Sequence, residues 1–303
     1  MGRFGPVVTA MITPMRADGA VDLAEAARLA GWLCDRGSSG LVVAGTTGES
    51  PTLSDAEKLQ LVEAVVAEVG SRATVIANSG GNDTRHSVEL SKRAAAAGAH
   101  ALLAVGPYYN KPPQAGLVEH FTAIADATEL PVMIYNIPGR TAVNVLPDTL
   151  LQLASHPRIV AVKESSGDLG QIGEIAARAP QGFDVYSGDD HLALPIAAVG
   201  GCGVVSVTSH VAGPEIREMF EAFFAGDVQR AAAIHQRLLP LHRALFAVTS
   251  PIPVKAAMQR LGFAVGRCRA PLCELTTEQQ RVLDEALAPW LAPARLKEIA
   301  RPR

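Results

Sequence analysis

Cysteine, aromatic residues and charge are all scarce in this chain, and it contains no long apolar run. Four cysteines stand in 303 residues, at positions 34, 202, 268 and 273. None forms a Cys-x-x-Cys pair, which excludes a disulfide scaffold and fits reduced thiols in a cytoplasmic protein. No stretch approaches the roughly 18 uninterrupted apolar residues of a membrane-spanning helix. The opening Met1-Gly2-Arg3-Phe4-Gly5-Pro6 has neither the apolar centre of a secretory signal nor the Ser or Thr of a myristoylation site. We therefore expect a soluble, cytoplasmic chain with no membrane partner. Charged residues make up only 19%, 27 basic against 30 acidic for a net charge of −3, so no basic stripe exists to follow a phosphate backbone and nucleic acid is not an expected partner. The eight histidines are scattered, with no His-Glu-x-x-His and no paired spacing on one helix, so neither a metal nor another cofactor is expected.

Apolar residues, by contrast, reach 48%, which supplies a large core and excludes intrinsic disorder. They fall into short β-branched runs alternating with longer Ala/Leu-rich amphipathic stretches. The runs cover 7–12, 41–44, 74–77, 101–105, 131–136, 159–163, 183–187 and 203–207, spaced about 28 residues apart. Between them lie helical patterns over 23–36, 54–69, 84–97, 115–128, 147–155 and 168–179. Asp22, Ser54 and Asp168 are placed as N-caps, and Ser54-Asp55-Ala56-Glu57 reads as a capping box. Eight strand–helix units with strands apolar on both faces predict an α/β fold, a (β/α)8 barrel. The open doubly wound alternative lacks its Gly-x-Gly-x-x-Gly after the first run, where Thr13-Pro14-Met15 stands instead. We expect the barrel as a catalytic domain over residues 1–226 and a C-terminal helical extension packed on it over 227–303, with helices at 228–247, 252–261 and 277–290.

In such a barrel the reacting groups project from the C-terminal strand ends. One of only six lysines, Lys163, closes the apolar run of the sixth strand. Desolvation there lowers the pKa of an amine and frees it as a Schiff-base nucleophile, although the position also fits a lysine that snorkels to solvent. Tyr135 ends the preceding strand one repeat earlier, within reach of Lys163 across a strand spacing of about 4.8 Å. It is either a packing aromatic or a proton shuttle beside an imine. Thr46 and Thr47 place two hydroxyls after the second strand, as a proton path or simply as a turn. Arg140 follows Tyr135 past a Pro-Gly turn and suits a carboxylate, or is a plain surface arginine. Asp189-Asp190, after the seventh strand, argues against the phosphate site that many barrels hold there, so the expected substrate is a carboxylate without a phosphate. Gly200-Gly201-Cys202-Gly203 precedes the eighth strand and reads as a tight turn on the opposite face.

Five motifs in order now carry a resemblance. Gly45-Thr46-Thr47-Gly48-Glu49-Ser50, Pro107-Tyr108-Tyr109-Asn110-Lys111-Pro112, Tyr135-Asn136-Ile137-Pro138-Gly139-Arg140-Thr141, Lys163-Glu164 and Ser187-Gly188-Asp189-Asp190 resemble the dihydrodipicolinate synthase and N-acetylneuraminate lyase superfamily of pyruvate aldolases. The resemblance runs from about residue 4 to about residue 290. It implies a class I aldolase, with Lys163 forming the imine with pyruvate. Tyr135 would pass protons through Thr46 to Tyr109, the last supplied by the neighbouring subunit. A tight dimer, and a homotetramer built as a dimer of dimers, would follow. Thr47, the Val205 backbone and Gly188 would hold pyruvate, and Arg140 would take the carboxylate of aspartate semialdehyde. The second Thr of the first motif and Arg140 favour the synthase, which condenses those two substrates to 4-hydroxy-tetrahydrodipicolinate in lysine and diaminopimelate biosynthesis. The alternative is a related pyruvate lyase acting on a 2-keto-3-deoxy sugar acid or N-acetylneuraminate. Asn78-Ser79-Gly80 and Gly106 depart from the common pattern. At the positions matching the family's lysine-inhibition site, Asp55, Lys58 and His86 also depart from it, and Lys58 would repel the ammonium of lysine. Feedback by lysine is therefore expected to be weak or absent.

Overall fold

Eight short runs of small and β-branched apolar residues are extended because each is covered on both faces. They are β1 (Val7–Ala10), β2 (Gly40–Val43), β3 (Thr74–Asn78), β4 (Ala101–Val105), β5 (Val132–Asn136), β6 (Ile159–Glu164), β7 (Asp184–Ser187) and β8 (Gly203–Ser206). In this computed structural model, which describes residues 2–291, they close in chain order into a parallel barrel, β8 pairing back onto β1. This is the expected (β/α)8 architecture. Among the described residues no helix is long and apolar enough to cross a membrane.

The helices start where the sequence offers a cap. Asp22 accepts from the Glu25 amide at the head of Leu23–Asp35, and Asp168 caps Leu169–Arg178. Ser54 and Glu57 form a complete capping box on Asp55–Val69. Two short helices fall outside the sequence expectation. Pro138–Thr141 forms immediately after β5, and Ala193–Ala198 lies between β7 and β8. Both are too short for an apolar repeat to register.

One irregularity sets up the site. Between β5 and β6 the register runs Val132↔Ile159 and then Met133↔Ala161, so one residue of β6 is passed over. Without that step Tyr135 would stand opposite Val162. With it, Tyr135 pairs with Lys163 and Asn136 with Glu164.

After β8 the chain continues into Ser209–Phe224, whose backbone is non-helical at Ala212, two residues before Pro214. Val228–Leu245 packs along it and accommodates Pro240, and Thr277–Leu287 packs against Val228–Leu245 in turn. Ile252–Arg260 lies between them in sequence, and the segment after it returns to the loops following β1 and β2: the Met15 amide donates to the Val265 carbonyl, and the Arg269 guanidinium to the Gly19 and Thr52 carbonyls. Of the expected extension, residues 292–303 lie outside the described part of the chain.

Candidate active site

Lys163 and Tyr135 are each only 5% exposed, at the C-terminal ends of neighbouring strands. The Lys163 Nζ lies 4.0 Å from the centroid of the Tyr135 ring. Burial is the largest influence on the amine and drives its pKa down to about 8 from 10.5; Asp189 and Asp190 oppose that and Arg140 adds to it. The consequence is quantitative. At pH 7 an amine of pKa about 8 is roughly one-tenth neutral, against about three in ten thousand for an ordinary lysine. Burial pushes the Tyr135 phenol in the opposite direction, up, with Asp189 adding to the rise and Arg140, Ser165 and Thr46 partly offsetting it. The pair is thus a fractionally neutral amine beside a phenol that keeps its proton. That combination suits a nucleophile and a proton donor.

The remaining expected residues divide into those brought to this pair and those held elsewhere. Thr46 reaches the phenol from the loop after β2, and Thr47 beside it is buried. Gly188 lies against Lys163: a Cβ there would stand 3.0 Å from the lysine Cε and 1.9 Å from the Ser165 Oγ, so a side chain at this position would displace the Ser165 hydroxyl and crowd the lysine. Val205 lies within β8, its side chain fully buried and paired in register with Val8. Arg140 is exposed, on the four-residue helix after β5, and its charge bears on both Lys163 and Tyr135. Tyr109 is not brought to the pair within one chain. It is 89% exposed, with a left-handed φ of 75° in a loop where Lys111 is also left-handed.

Asp190 takes up the donors at the end of β8. Its buried carboxylate accepts from the Ser206 hydroxyl and from the amides of Val207 (2.9 Å) and Thr208 (3.0 Å), the donors that follow β8. An anion of the protein's own already occupies them.

Behind the lysine, on the neighbouring residue of β6, Glu164 is fully buried, and burial pushes its pKa up. Asn136 Nδ2 donates to both carboxylate oxygens at 3.1 Å, and the Ser166 amide donates at 2.8 Å. The same Asn136 Nδ2 donates to Asn144 Oδ1, while Asn136 Oδ1 accepts from the Val145 amide. The network ties the ends of β5 and β6 to Asn144 and Val145, just after the short helix that carries Arg140. Sequence reasoning placed Glu164 and Asn136 in motifs without giving them a task. Their signal was polarity next to Tyr135 and Lys163, at the ends of strands that begin wholly apolar.

A cavity of about 470 Å³ is bordered by Thr46 and Arg140, and also by Asp55, Lys58 and His86. Lys163 is not among its walls. Asp55 accepts from His86 at 2.8 Å and lies 3.8 Å from Lys58 and 3.4 Å from Arg93, so one carboxylate faces three basic side chains. Among the described residues no group of three or more His, Cys, Asp or Glu side chains is arranged to hold a metal ion.

The model of the dihydrodipicolinate synthetase family matches residues 3–289. A 4-hydroxy-tetrahydrodipicolinate synthase of Symbiobacterium thermophilum is 55% identical over 289 residues, covering 95% of this chain and 98% of its own. Another of Streptomyces coelicolor, the synthase designated 2, is 54% identical over 94% of this chain and 95% of its own. Among solved structures, a dihydrodipicolinate synthase from Bacillus anthracis superimposes with a TM-score of 0.93 at 44% identity over the whole of both chains. The Cyanidioschyzon merolae enzyme with lysine bound gives 0.94 at 45%, covering 95% of this chain and 98% of its own.

Proposed function

The chain belongs to the dihydrodipicolinate synthetase family, and from that premise we propose that it condenses pyruvate with L-aspartate 4-semialdehyde to 4-hydroxy-tetrahydrodipicolinate, a lyase-class step of lysine and diaminopimelate biosynthesis. The observation that carries the reading is the buried Lys163 amine lying on the Tyr135 ring with its pKa held down to about 8.

The chemistry follows from the groups present. The neutral Lys163 amine adds to the ketone of pyruvate, and Tyr135 donates the proton that lets the carbinolamine expel water as the imine forms. Loss of a methyl proton gives the enamine, whose carbon bonds to the aldehyde of the second substrate. That substrate's amine then displaces Lys163 and closes the ring, returning the lysine free. Thr47, the Val205 backbone and Gly188 hold pyruvate, and Arg140 takes the carboxylate of the aldehyde. Thr46 connects Tyr135 to Tyr109 of a second subunit, which accounts for a tyrosine 89% exposed in the single chain. The working unit is then at least a dimer, and we take it to be a homotetramer, a dimer of dimers. Residues 1–226 serve as the catalytic domain and 227–303 as its extension. Four free thiols fit the cytoplasm.

The test is intact-mass spectrometry after pyruvate and borohydride on the wild type and Lys163→Ala. A pyruvate-sized adduct on the wild type alone supports the reading. No adduct on the wild type removes it.

A further inference from the structure

The loop that carries Thr46 and Thr47 is held in an unfavourable backbone conformation by contacts from the β1 loop and from the C-terminal extension. Ala44 (φ 54°) and Glu49 (φ 60°) lie in the left-handed region on either side of it, and non-glycine residues stay there only where their surroundings over-determine them. On one side, the Thr13 hydroxyl donates to the Gly48 carbonyl at 2.7 Å. On the other stands a buried ion pair between groups 206 residues apart. Glu49 Oε1 accepts from Lys255 Nζ at 2.6 Å, with the two side chains 1% and 3% exposed. Glu49 Oε2 accepts from the Arg269 amide at 2.7 Å, and Lys255 Nζ also donates to the Arg267 carbonyl at 2.9 Å. Within the loop the Glu49 amide donates back to the Thr46 carbonyl, so the carboxylate's anchor sits one hydrogen bond from a residue that touches Tyr135.

We propose that Glu49 and Lys255 are positioning residues for the reaction: the buried pair fixes the Thr46–Thr47 turn, and the C-terminal extension is thereby part of the catalytic apparatus. The inference rests on the proposed function, because it assigns Thr46 and Thr47 the tasks given there. A buried ion pair is a poor source of net stability, since desolvation of both charges offsets their attraction, but losing one partner strands the other charge. That asymmetry separates a positioning role from a merely structural one.

The experiment compares Glu49→Gln, Lys255→Met and the double variant with the wild type. Melting temperature, the KM for each substrate and kcat are measured, together with borohydride trapping of pyruvate. Each single variant melts lower than the wild type. The double variant, with both charges gone, recovers most of that loss. Its KM for pyruvate nonetheless rises about tenfold, its trapping slows, and the KM for the aldehyde moves less than about twofold, as a displacement of Thr47 by a fraction of an ångström requires. A reduced folded population lowers the apparent kcat and leaves KM alone, so the split is not reproduced by instability. A folded double variant with the wild-type pyruvate KM overturns the inference, whatever its melting temperature. If the double variant does not accumulate as folded protein, Arg269→Ala tests the hold of the same C-terminal segment on this loop from a side chain 22% exposed, through loss of its bonds to Glu57, Gly19 and Thr52. A raised pyruvate KM then supports the inference and an unchanged one overturns it. Trapping by the wild type with no change in any variant refutes this inference alone, whereas no trapping by the wild type refutes the functional reading beneath it.

Discussion

Replacing Lys163 by methionine should abolish imine formation and, at neutral pH, make the protein more stable. The ammonium is buried, and its pKa falls from 10.5 to about 8 chiefly for that reason. At pH 7 the group is mostly charged in both folded and unfolded chains, so folding bears the full cost of desolvating it. The gap between 10.5 and about 8 corresponds to about 3 kcal/mol. The unfolded chain holds more protons than the folded one between those two values, so the cost shrinks as pH rises through that window. At pH 10 it is below about 1 kcal/mol. Methionine has a straight side chain of similar volume and no charge, which makes it the appropriate replacement. Urea unfolding of wild type and Lys163→Met, at one fixed protein concentration and at pH 7 and pH 10, reads the difference directly. We expect the variant to be more stable by about 3 kcal/mol at pH 7, with most of that gain gone at pH 10. A variant less stable than the wild type at pH 7, or a gain independent of pH, refutes the claim that the site keeps its nucleophile by desolvating it.

Three further outcomes follow from the same geometry. Tyr109→Ala should lose roughly 10²-fold in kcat while still trapping pyruvate, and mixing its subunits with Lys163→Met subunits should restore part of the activity; hybrids with no recovery would place Tyr109 outside the partner's site. Glu164→Gln turns an acceptor toward the Asn136 amide as a donor, which costs about 1–3 kcal/mol in stability and should raise the KM of the aldehyde more than that of pyruvate, because Asn136 and Asn144 position the Arg140 loop; equal changes in both KM values would contradict that division of labour. Lysine at millimolar concentration should leave turnover nearly unchanged, since Lys58, His86 and Arg93 crowd the single carboxylate of Asp55; strong inhibition in a steady-state assay would show the cavity still accepts an ammonium.

Much of the architecture was legible because strand and helix periods are local. The runs at 101–105 and 131–136 are bounded by turn residues and became β4 and β5 almost unaltered. The short helices Pro138–Thr141 and Ala193–Ala198 were not legible, because four or six residues do not complete an apolar repeat. Lys163 and Tyr135 were visible as polar groups closing apolar strands. The motif contained Glu49, but nothing local pointed to its partner, since Lys255 sits 206 residues away on a helix with no unusual pattern.

By itself, then, the sequence determined a parallel eightfold repeat and the strand ends at which Lys163 and Tyr135 stand. Those properties depend on alternation, capping and spacing within about 30 residues, and such interactions are written in adjacent letters. Tertiary structure decided the rest. The skipped residue in β6 set Lys163 rather than Val162 against Tyr135, the barrel mouth lowered the amine's pKa, and the returning C-terminal segment buried Glu49 against Lys255. Register between strands, dielectric environment and the pairing of distant charges all depend on which surfaces meet, and no short stretch of the chain encodes that alone.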